Sequence, residues 1–172
     1  MRFDIPEPNM FYMGVKNSKF TFDDVSVKAW VADQCFGNVL NCFAGMNVVV
    51  DHEYRVDINP DRFKLDYVGN VMDFFAFNDS EDEEDRYVFD TLIVDPDWNK
   101  RKSKEKYDGK WIGWLQRMKE DIARYARNRI IHAGYEISLF GQKRGFYISD
   151  ILVCNPYGEI RPYFVTVEKK YK

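Results

Sequence analysis

The tetrad Asp95-Pro96-Asp97-Trp98 brings two carboxylates, a rigid proline and a large aromatic ring together within four residues. The apolar, β-branched run from Val88 to Val94 precedes it and predicts a strand that is buried on both faces and ends at Asp95-Pro96. Ligands of open α/β sheets bind just beyond the carboxyl ends of such strands. The tetrad is therefore a candidate ligand site, with a plain turn as the structural alternative.

Two earlier segments place a glycine turn and a carboxylate at predicted strand ends. Val39 to Phe43 (VLNCF) predicts a buried strand that runs into Ala44-Gly45. Tyr54 to Ile58 (YRVDI) predicts a second strand, which carries Asp57 near its end. An acidic side chain there, close to a glycine turn after the first strand, is the arrangement that holds a ribose diol in nucleotide-binding folds.

A third strand end is predicted at Val68 to Asp73 (VGNVMD), which Phe74-Phe75 follow. Taken singly, Asp57 and Asp73 are better explained as ordinary turn carboxylates. Only the ordered set of strand ends, three of them with a carboxylate, favours a ligand site over a series of unrelated turns.

A basic run occupies residues 99–111, directly after the tetrad. Phosphate contacts from such a run would anchor a nucleic acid with an affinity that falls steeply as salt rises. A solvated charged loop is the commoner use of such a run, and the adjacent tetrad keeps both interpretations open. The residues assigned to nucleic acid contact are Lys100, Arg101, Lys102, Lys104, Lys106 and Tyr107.

The composition indicates a globular protein of one domain. The chain has 172 residues, of which 45% are apolar and 31% charged, so a sizeable core is expected. No run approaches membrane-spanning length and the N-terminus lacks the apolar core of a signal peptide, so we expect an intracellular, cytoplasmic protein. The acidic tract Asp79 to Asp85 is predicted to be a solvated loop.

The cysteines and histidines show no spacing that indicates a metal or redox site. Cys35, Cys42 and Cys154 are odd in number and lack a CxxC spacing, so buried free thiols are expected. His52 and His132 have no cysteine or carboxylate at ligand spacing. We therefore expect no metal site.

The remaining elements predict an α/β protein. A helix capped by Asp23 or Asp24 precedes the first strand, and an amphipathic helix is predicted within Gly113 to Ile130. Alternating strands and helices indicate a mostly parallel sheet, to which a closing hairpin adds an antiparallel edge. The other predicted segments are an irregular arm over residues 1–22, a strand over Tyr135 to Phe140, and the hairpin strands Phe146 to Cys154 and Tyr163 to Glu168.

Four motifs in this order resemble the class I S-adenosylmethionine-dependent methyltransferases. They are LNCFAG (residues 40–45), RVDINP (55–60), NVMD (70–73) and LIVDPDW (92–98). The tetrad is similar to the DPPY/DPPW motif of the amino-methylating DNA methyltransferases. The resemblance implies a Rossmann-like methyltransferase fold, S-adenosylmethionine as cofactor and DNA as the favoured substrate.

The resemblance also implies roles for individual residues on the cofactor side. Asn41, Phe43, Ala44 and Gly45 would form the turn under the methionine part of the cofactor. Asp57 would accept hydrogen bonds from the ribose hydroxyls, with Ile58 packed on the adenine. Asp73 and Phe74 would contact the adenine from its other side.

On the substrate side, the resemblance makes Asp95 to Trp98 the catalytic segment. Asp95 and the Pro96 carbonyl would accept the N–H bonds of an exocyclic amine on adenine or, alternatively, cytosine, so that its lone pair faces the methyl group. Trp98 would be the platform on which the base stacks, and a duplex would first have to flip that base out. Asp97 stands where the family usually has a second proline.

A second departure from the family lies between the first two strands. Eleven residues separate Gly45 from Asp57, too few for the usual crossover helix. Together with Asp97, this leaves open a catalytically inactive protein of the same fold that binds nucleic acid or a protein partner. RNA or protein as substrate, and a homodimer or a separate specificity partner, also stay open.

Overall fold

Eight strands form one sheet in the computed structural model, which describes residues 6–18, 21–82, 86–96, 115–158 and 161–171. Within these residues, three α-helices accompany the strands: α1 (Val25–Gln34), α2 (Val71–Ser80) and α3 (Leu115–Tyr125). The strands are β1 (Asn9–Val15), β2 (Val39–Asn41), β3 (Glu53–Asp57), β4 (Tyr67–Val68), β5 (Phe89–Val94), β6 (Ala126–Gly134), β7 (Phe146–Pro156) and β8 (Tyr163–Lys170).

The strand order across the sheet is β1-β7-β8-β6-β5-β2-β3-β4. Strand β8 runs antiparallel to both of its neighbours, β6 and β7, and every other neighbouring pair is parallel. The order of the parallel strands reverses between β2 and β5, because β3 and β4 follow β2 on one side while β5 and β6 lie on the other. The predicted α/β class, with a mostly parallel sheet and an antiparallel hairpin, is confirmed.

Both faces of the central strands are covered, which explains their continuous apolar sequences. Leu40 and Leu92 pack on one face with residues of α2 and α3. Val39 and Ile93 pack on the opposite face with Val27 and other residues of α1. The sheet therefore separates two apolar layers, and packing on both faces fixes the position of the carboxyl edge.

The start of α1 follows the sequence prediction. Asp24 is the N-cap, and its Oδ1 accepts hydrogen bonds from the backbone N–H groups of Ser26 at 2.9 Å and Val27 at 3.3 Å. This satisfies donors that the first helical turn leaves without an intrahelical partner.

The expectation of an irregular arm over residues 1–22 is wrong for Asn9–Val15, which form the edge strand β1 parallel to β7. Most residues of β1 are exposed on both faces, so the apolar and polar residues do not alternate as they do in a half-buried strand. The prediction that the C-terminal hairpin supplies an edge of the sheet is also wrong, because β1 lies outside β7.

Two boundaries on the C-terminal side also differ from the prediction. The helix ends at Tyr125 and passes directly into β6, without a glycine or proline to mark the change. The strand predicted for Tyr135 to Phe140 is absent, because this segment bends around the carboxylate of Glu168. Glu168 accepts the N–H groups of Leu139, Phe140 and Gly141 at 2.7, 3.0 and 2.6 Å.

Candidate functional site

The ends of β2 and β5 meet where the strand order reverses. Asn41 of β2 is in register with Ile93 of β5, and the Cys42 N–H donates to the Ile93 carbonyl at 3.0 Å. The two segments that follow, Phe43 to Gly45 and Asp95-Pro96, therefore leave the same edge of the sheet side by side. Crevices at such reversal points are the usual ligand sites of open α/β sheets.

Asp57 at the end of β3 is bonded directly to the glycine turn after β2. Its Oδ2 accepts the Gly45 N–H at 2.9 Å and its Oδ1 accepts the Asn59 N–H at 2.8 Å. Gly45 has φ +55°, a left-handed conformation that favours glycine. Each carboxylate oxygen has a further lone pair, and Asp57 is only partly buried, so this carboxylate retains acceptor capacity toward a ligand.

A buried ion pair lies beneath this turn. Glu53 and Arg55 are next-but-one neighbours on β3, point to the same face and form a salt bridge with both side chains almost fully buried. Glu53 Oε2 also accepts the N–H groups of Val49 and Val50 at 3.1 and 3.2 Å. The carboxylate thus fixes the far end of the link between β2 and β3.

Arg55 fixes the near end of the same link. Its guanidinium donates to the carbonyls of Ala44 at 3.0 Å, Gly45 at 3.1 Å and Asn47 at 2.7 Å. Residues 42–52 contain no helix, so these two charged side chains satisfy backbone groups that a crossover helix would satisfy internally. The pair holds the glycine turn open at the edge of the sheet.

Sequence reasoning missed Glu53 and Arg55. The available signal was the alternation of Glu53, Arg55 and Asp57 with Tyr54 and Val56, which puts three charged residues on one face of a strand. If that strand is buried on both faces, the opposite charges must pair or bond the backbone.

Two residues assigned to the cofactor on the sequence have positions that restrict that role. Asn41 is completely buried, and its Nδ2 donates to Glu53 Oε1 at 3.2 Å, so it supports the ion pair under the turn instead of lining the crevice. Ala44 is also buried, while Phe43 is partly exposed. Of this turn, Gly45 and Phe43 remain accessible to a ligand.

The assignment of Phe74 to adenine contact is corrected by its burial. Its ring is completely buried and contacts Tyr54, Tyr67 and Phe89, so it presents no surface to a ligand. The predicted strand end at residues 68–73 is instead the start of α2, capped by the Asn70 side chain. Asp73 lies exposed in the first turn of α2, and Ile58 after β3 is partly exposed.

Asp95 is partly buried and Pro96 is buried at the end of β5. The first residue of β8, Tyr163, belongs to the same neighbourhood, and burial raises its pKa, with further contributions from Cys154 and from the negative charge of Asp95. Burial likewise raises the pKa of the Cys154 thiol to about 11. The Tyr163 side chain is therefore a neutral phenol at neutral pH.

The start of α1 contributes two more carboxylates to this end of the sheet. Asp23 Oδ1 accepts the Asn47 side-chain amide at 2.7 Å, which ties α1 to the link that carries Gly45. Asp24 also accepts the Lys16 N–H at 2.9 Å. That hydrogen bond, opposed by partial burial and assisted by the N–H groups of Val27 and Ser26, lowers the pKa of Asp24.

Asp97, Trp98 and the basic residues Lys100 to Tyr107 lie outside the described residues. Among the described residues, no group of three or more histidine, cysteine, aspartate or glutamate side chains is arranged to hold a metal ion. None of the described helices has the length and apolarity needed to cross a membrane. Cys35, Cys42 and Cys154 are free thiols.

Comparison with known proteins adds no further constraint on this site. No protein-family model matches the chain, and no curated protein matches it significantly. The functional argument therefore rests on the residues and their geometry.

Proposed function

We propose that this protein is an S-adenosylmethionine-dependent methyltransferase that acts on the exocyclic amine of adenine, or alternatively cytosine, in DNA. The cofactor would occupy the crevice between the ends of β2 and β5, and the amine would lie at Asp95-Pro96. The support comes from three features of the described residues: the strand order, the turn after β2 and the carboxylates at the strand ends.

The strand order supports a Rossmann-like fold. If β2 is counted as the first strand, the five parallel strands run third, second, first, fourth and fifth across the sheet. This is the order of a doubly wound nucleotide-binding sheet, with its ligand at the reversal between the first and fourth strands. Gly45 and Asp95 leave the sheet on the two sides of that reversal.

The turn after β2 and the charges near it favour one class of ligand over another. Dinucleotide-binding sheets hold a pyrophosphate at the N-terminus of the helix that follows the first strand. Here residues 42–52 form no helix, and the accessible strand-end side chains Asp57 and Asp95 are both acidic. Such a crevice fits a nucleoside that lacks phosphate and carries positive charge. S-adenosylmethionine has a sulfonium and an ammonium group and no phosphate.

The cofactor-side roles follow from what remains accessible. Gly45 would face the methionine part of the cofactor, with Phe43 beside it. Asp57, whose two oxygens each already accept one backbone N–H, would accept the ribose hydroxyls with its remaining lone pairs. Ile58 would pack on the adenine, and Asp73 would lie at the far end of that ring.

The substrate-side roles depend on the need to activate a conjugated amine. The cofactor supplies an electrophilic methyl group when it is bound. Asp95 and the Pro96 carbonyl would accept the two N–H bonds of the amine and turn its lone pair toward that methyl group. Trp98 would stack on the base, and the basic residues Lys100 to Lys106 would contact phosphates.

Calorimetric titration with S-adenosylhomocysteine, the demethylated product, tests the cofactor site. We expect binding to the wild-type chain, much weaker binding to Asp57→Ala, and unchanged binding to Asp61→Ala, an exposed carboxylate in the loop after β3. NAD⁺ is the matched ligand that carries a pyrophosphate, and we expect it not to bind. Absence of S-adenosylhomocysteine binding at millimolar concentration would refute the proposal.

Asp95→Ala separates catalysis from cofactor binding. We expect it to abolish methyl transfer while the affinity for S-adenosylhomocysteine stays within about two-fold of the wild type, since Asp95 faces the amine. Equal loss of both activities would instead give Asp95 a structural role.

A second candidate, a nucleic-acid-binding protein that keeps this fold without catalysis, is motivated by Asp97 and by the short link without a helix between Gly45 and Asp57, which both depart from the family pattern. An additional carboxylate next to Asp95 disfavours the ionised acceptor that the amine needs. Asp97→Pro discriminates the two candidates. Methylation that appears only in this variant supports a decayed site, whereas loss of an existing activity shows that Asp97 is adapted to its substrate.

A further inference from the structure

We propose that Tyr135 and Ile137 form a nucleobase-binding rim beside Asp95-Pro96. This inference rests on the proposed function, because it assigns the rim to the nucleic acid whose amine is methylated. It adds a binding surface of described residues to a substrate side that the sequence placed entirely within residues 95–107.

Strand register places the rim next to the proposed acceptor. Val94 of β5 is in register with His132 of β6, and the two strands are parallel. Continuing that register by two residues brings Pro96 level with Gly134, the last residue of β6. Tyr135 therefore leaves the sheet directly beside the segment that would hold the amine.

The exposure of this segment contrasts with that of its flanks. Tyr135 is 54% exposed and Ile137 is 40% exposed, although both side chains are large and apolar. Gly134 before them and Leu139 and Phe140 after them are buried. A tip that exposes two large side chains, Tyr135 and Ile137, thus lies between two buried flanks at the edge of the sheet where ligands bind.

The base of this tip is held firmly. Glu168, fully buried, accepts three successive N–H groups from Leu139 to Gly141 and lies 3.1 Å from His132 Nε2. Successive N–H groups directed at one carboxylate fix the backbone that carries them. The chain is therefore fixed where it re-enters the core after the tip, which limits the ordering that ligand binding would require there.

The charges around the tip favour a base over a phosphate as its occupant. Glu136, between the two apolar residues, is exposed and would repel a phosphate at the tip itself. A planar base carries no charge and meets no such repulsion at Tyr135 and Ile137.

Fluorescence anisotropy with a labelled single-stranded oligonucleotide that contains adenine tests the rim. We expect Tyr135→Ala to weaken binding by about ten-fold or more, the size of one lost base stack, and Tyr135→Phe to bind nearly as the wild type does. Tyr12→Ala is the matched control, because Tyr12 is an exposed tyrosine on the edge strand β1. Its affinity should stay at the wild-type value.

The same proteins are titrated with S-adenosylhomocysteine, so that the two proposals are tested separately. Unchanged oligonucleotide affinity in Tyr135→Ala, or no binding by the wild type, overturns the rim and leaves the cofactor proposal intact. Failure of the wild type to bind S-adenosylhomocysteine overturns the methyltransferase proposal, and with it the rim as a substrate site. Loss of cofactor affinity in Tyr135→Ala also overturns the rim, because it shows a general structural effect.

Discussion

Two connections of the sheet that contain no α-helix are each organised by a buried glutamate, and the two glutamates have different partners. In the link after β2, Glu53 accepts two backbone N–H groups and pairs with Arg55, which donates to three carbonyls of the same link. In the segment after β6, Glu168 accepts three N–H groups and contacts His132. The first pair serves both donors and acceptors of its loop, whereas the second serves donors alone.

The difference in partners determines which backbone groups of each connection depend on its buried pair. Loss of Arg55 would leave three carbonyls of the link that carries Gly45 without their donor. Loss of the Glu168 carboxylate would instead leave three N–H groups after β6 without their acceptor. Each buried pair therefore supports a different set of backbone groups.

Removal of Arg55 should have the largest effect. Arg55→Met leaves the Glu53 carboxylate buried without its cation and the carbonyls of Ala44, Gly45 and Asn47 without their donor, so we expect a loss of about 3–5 kcal/mol in the free energy of unfolding. Urea denaturation measures it, with the exposed Arg127→Met as control. A loss as small as that of the control would contradict the role of the pair.

Neutralising Glu168 should have a smaller effect than removing Arg55. Glu168→Gln keeps the size of the side chain and one acceptor oxygen but weakens the charge-assisted bonds to the segment after β6, which we expect to cost about 2–3 kcal/mol. Glu136→Gln, an exposed neighbour, should change stability by less than about 0.5 kcal/mol. If the two variants unfold at the same urea concentration, the segment is held by other contacts.

The support after β6 should weaken in acid. Burial opposes the ionisation of Glu168, but the contact with His132 and the N–H groups of Gly141 and Phe140 hold its pKa below the usual value of 4.5. A lowered pKa in the folded state contributes stability that is complete above about pH 4.5 and is lost as the pH falls through the folded value. The wild type should therefore lose stability over this range more steeply than Glu168→Gln. Parallel pH profiles would contradict the assignment.

The smallest effect on stability is expected from a pair of glycines, one in each connection. Gly45 (φ +55°) and Gly145 (φ +80°) are both left-handed, and an added Cβ would meet no atom closer than 3.9 Å. Each Gly→Ala change should cost about 1–2 kcal/mol. Only Gly45→Ala should also weaken S-adenosylhomocysteine binding, because its methyl group would project into the proposed crevice. Equal affinities of the two variants would contradict that placement.

The parts of the fold that the sequence predicted correctly are those with local or strongly periodic signals. Strands β2 and β5 were identifiable as apolar runs because both of their faces are buried, and α1 was identifiable through its Asp24 cap. Strand β1 was not, since an exposed edge strand needs no alternation. No glycine or proline separates α3 from β6, so the helix predicted from the amphipathic pattern extends beyond Tyr125 into β6.

The candidate site was predicted less completely than the fold, for a physical reason. Asp57 and Asp95 were identifiable because strand ends in a parallel sheet meet at one edge. Glu53, Arg55 and Glu168 were not, because their bonds join backbone groups that become neighbours only when distant segments fold together. Phe74 illustrates the reverse error, since a motif position does not reveal that an aromatic ring is needed in the core.

The most direct test of the account is incorporation of labelled methyl groups from S-adenosylmethionine into DNA, RNA and protein offered side by side. The account predicts label in the adenine or cytosine of DNA with the wild-type chain, and none with Asp95→Ala that still binds S-adenosylhomocysteine. Label in none of the three substrates, or equal labelling by Asp95→Ala, would contradict it.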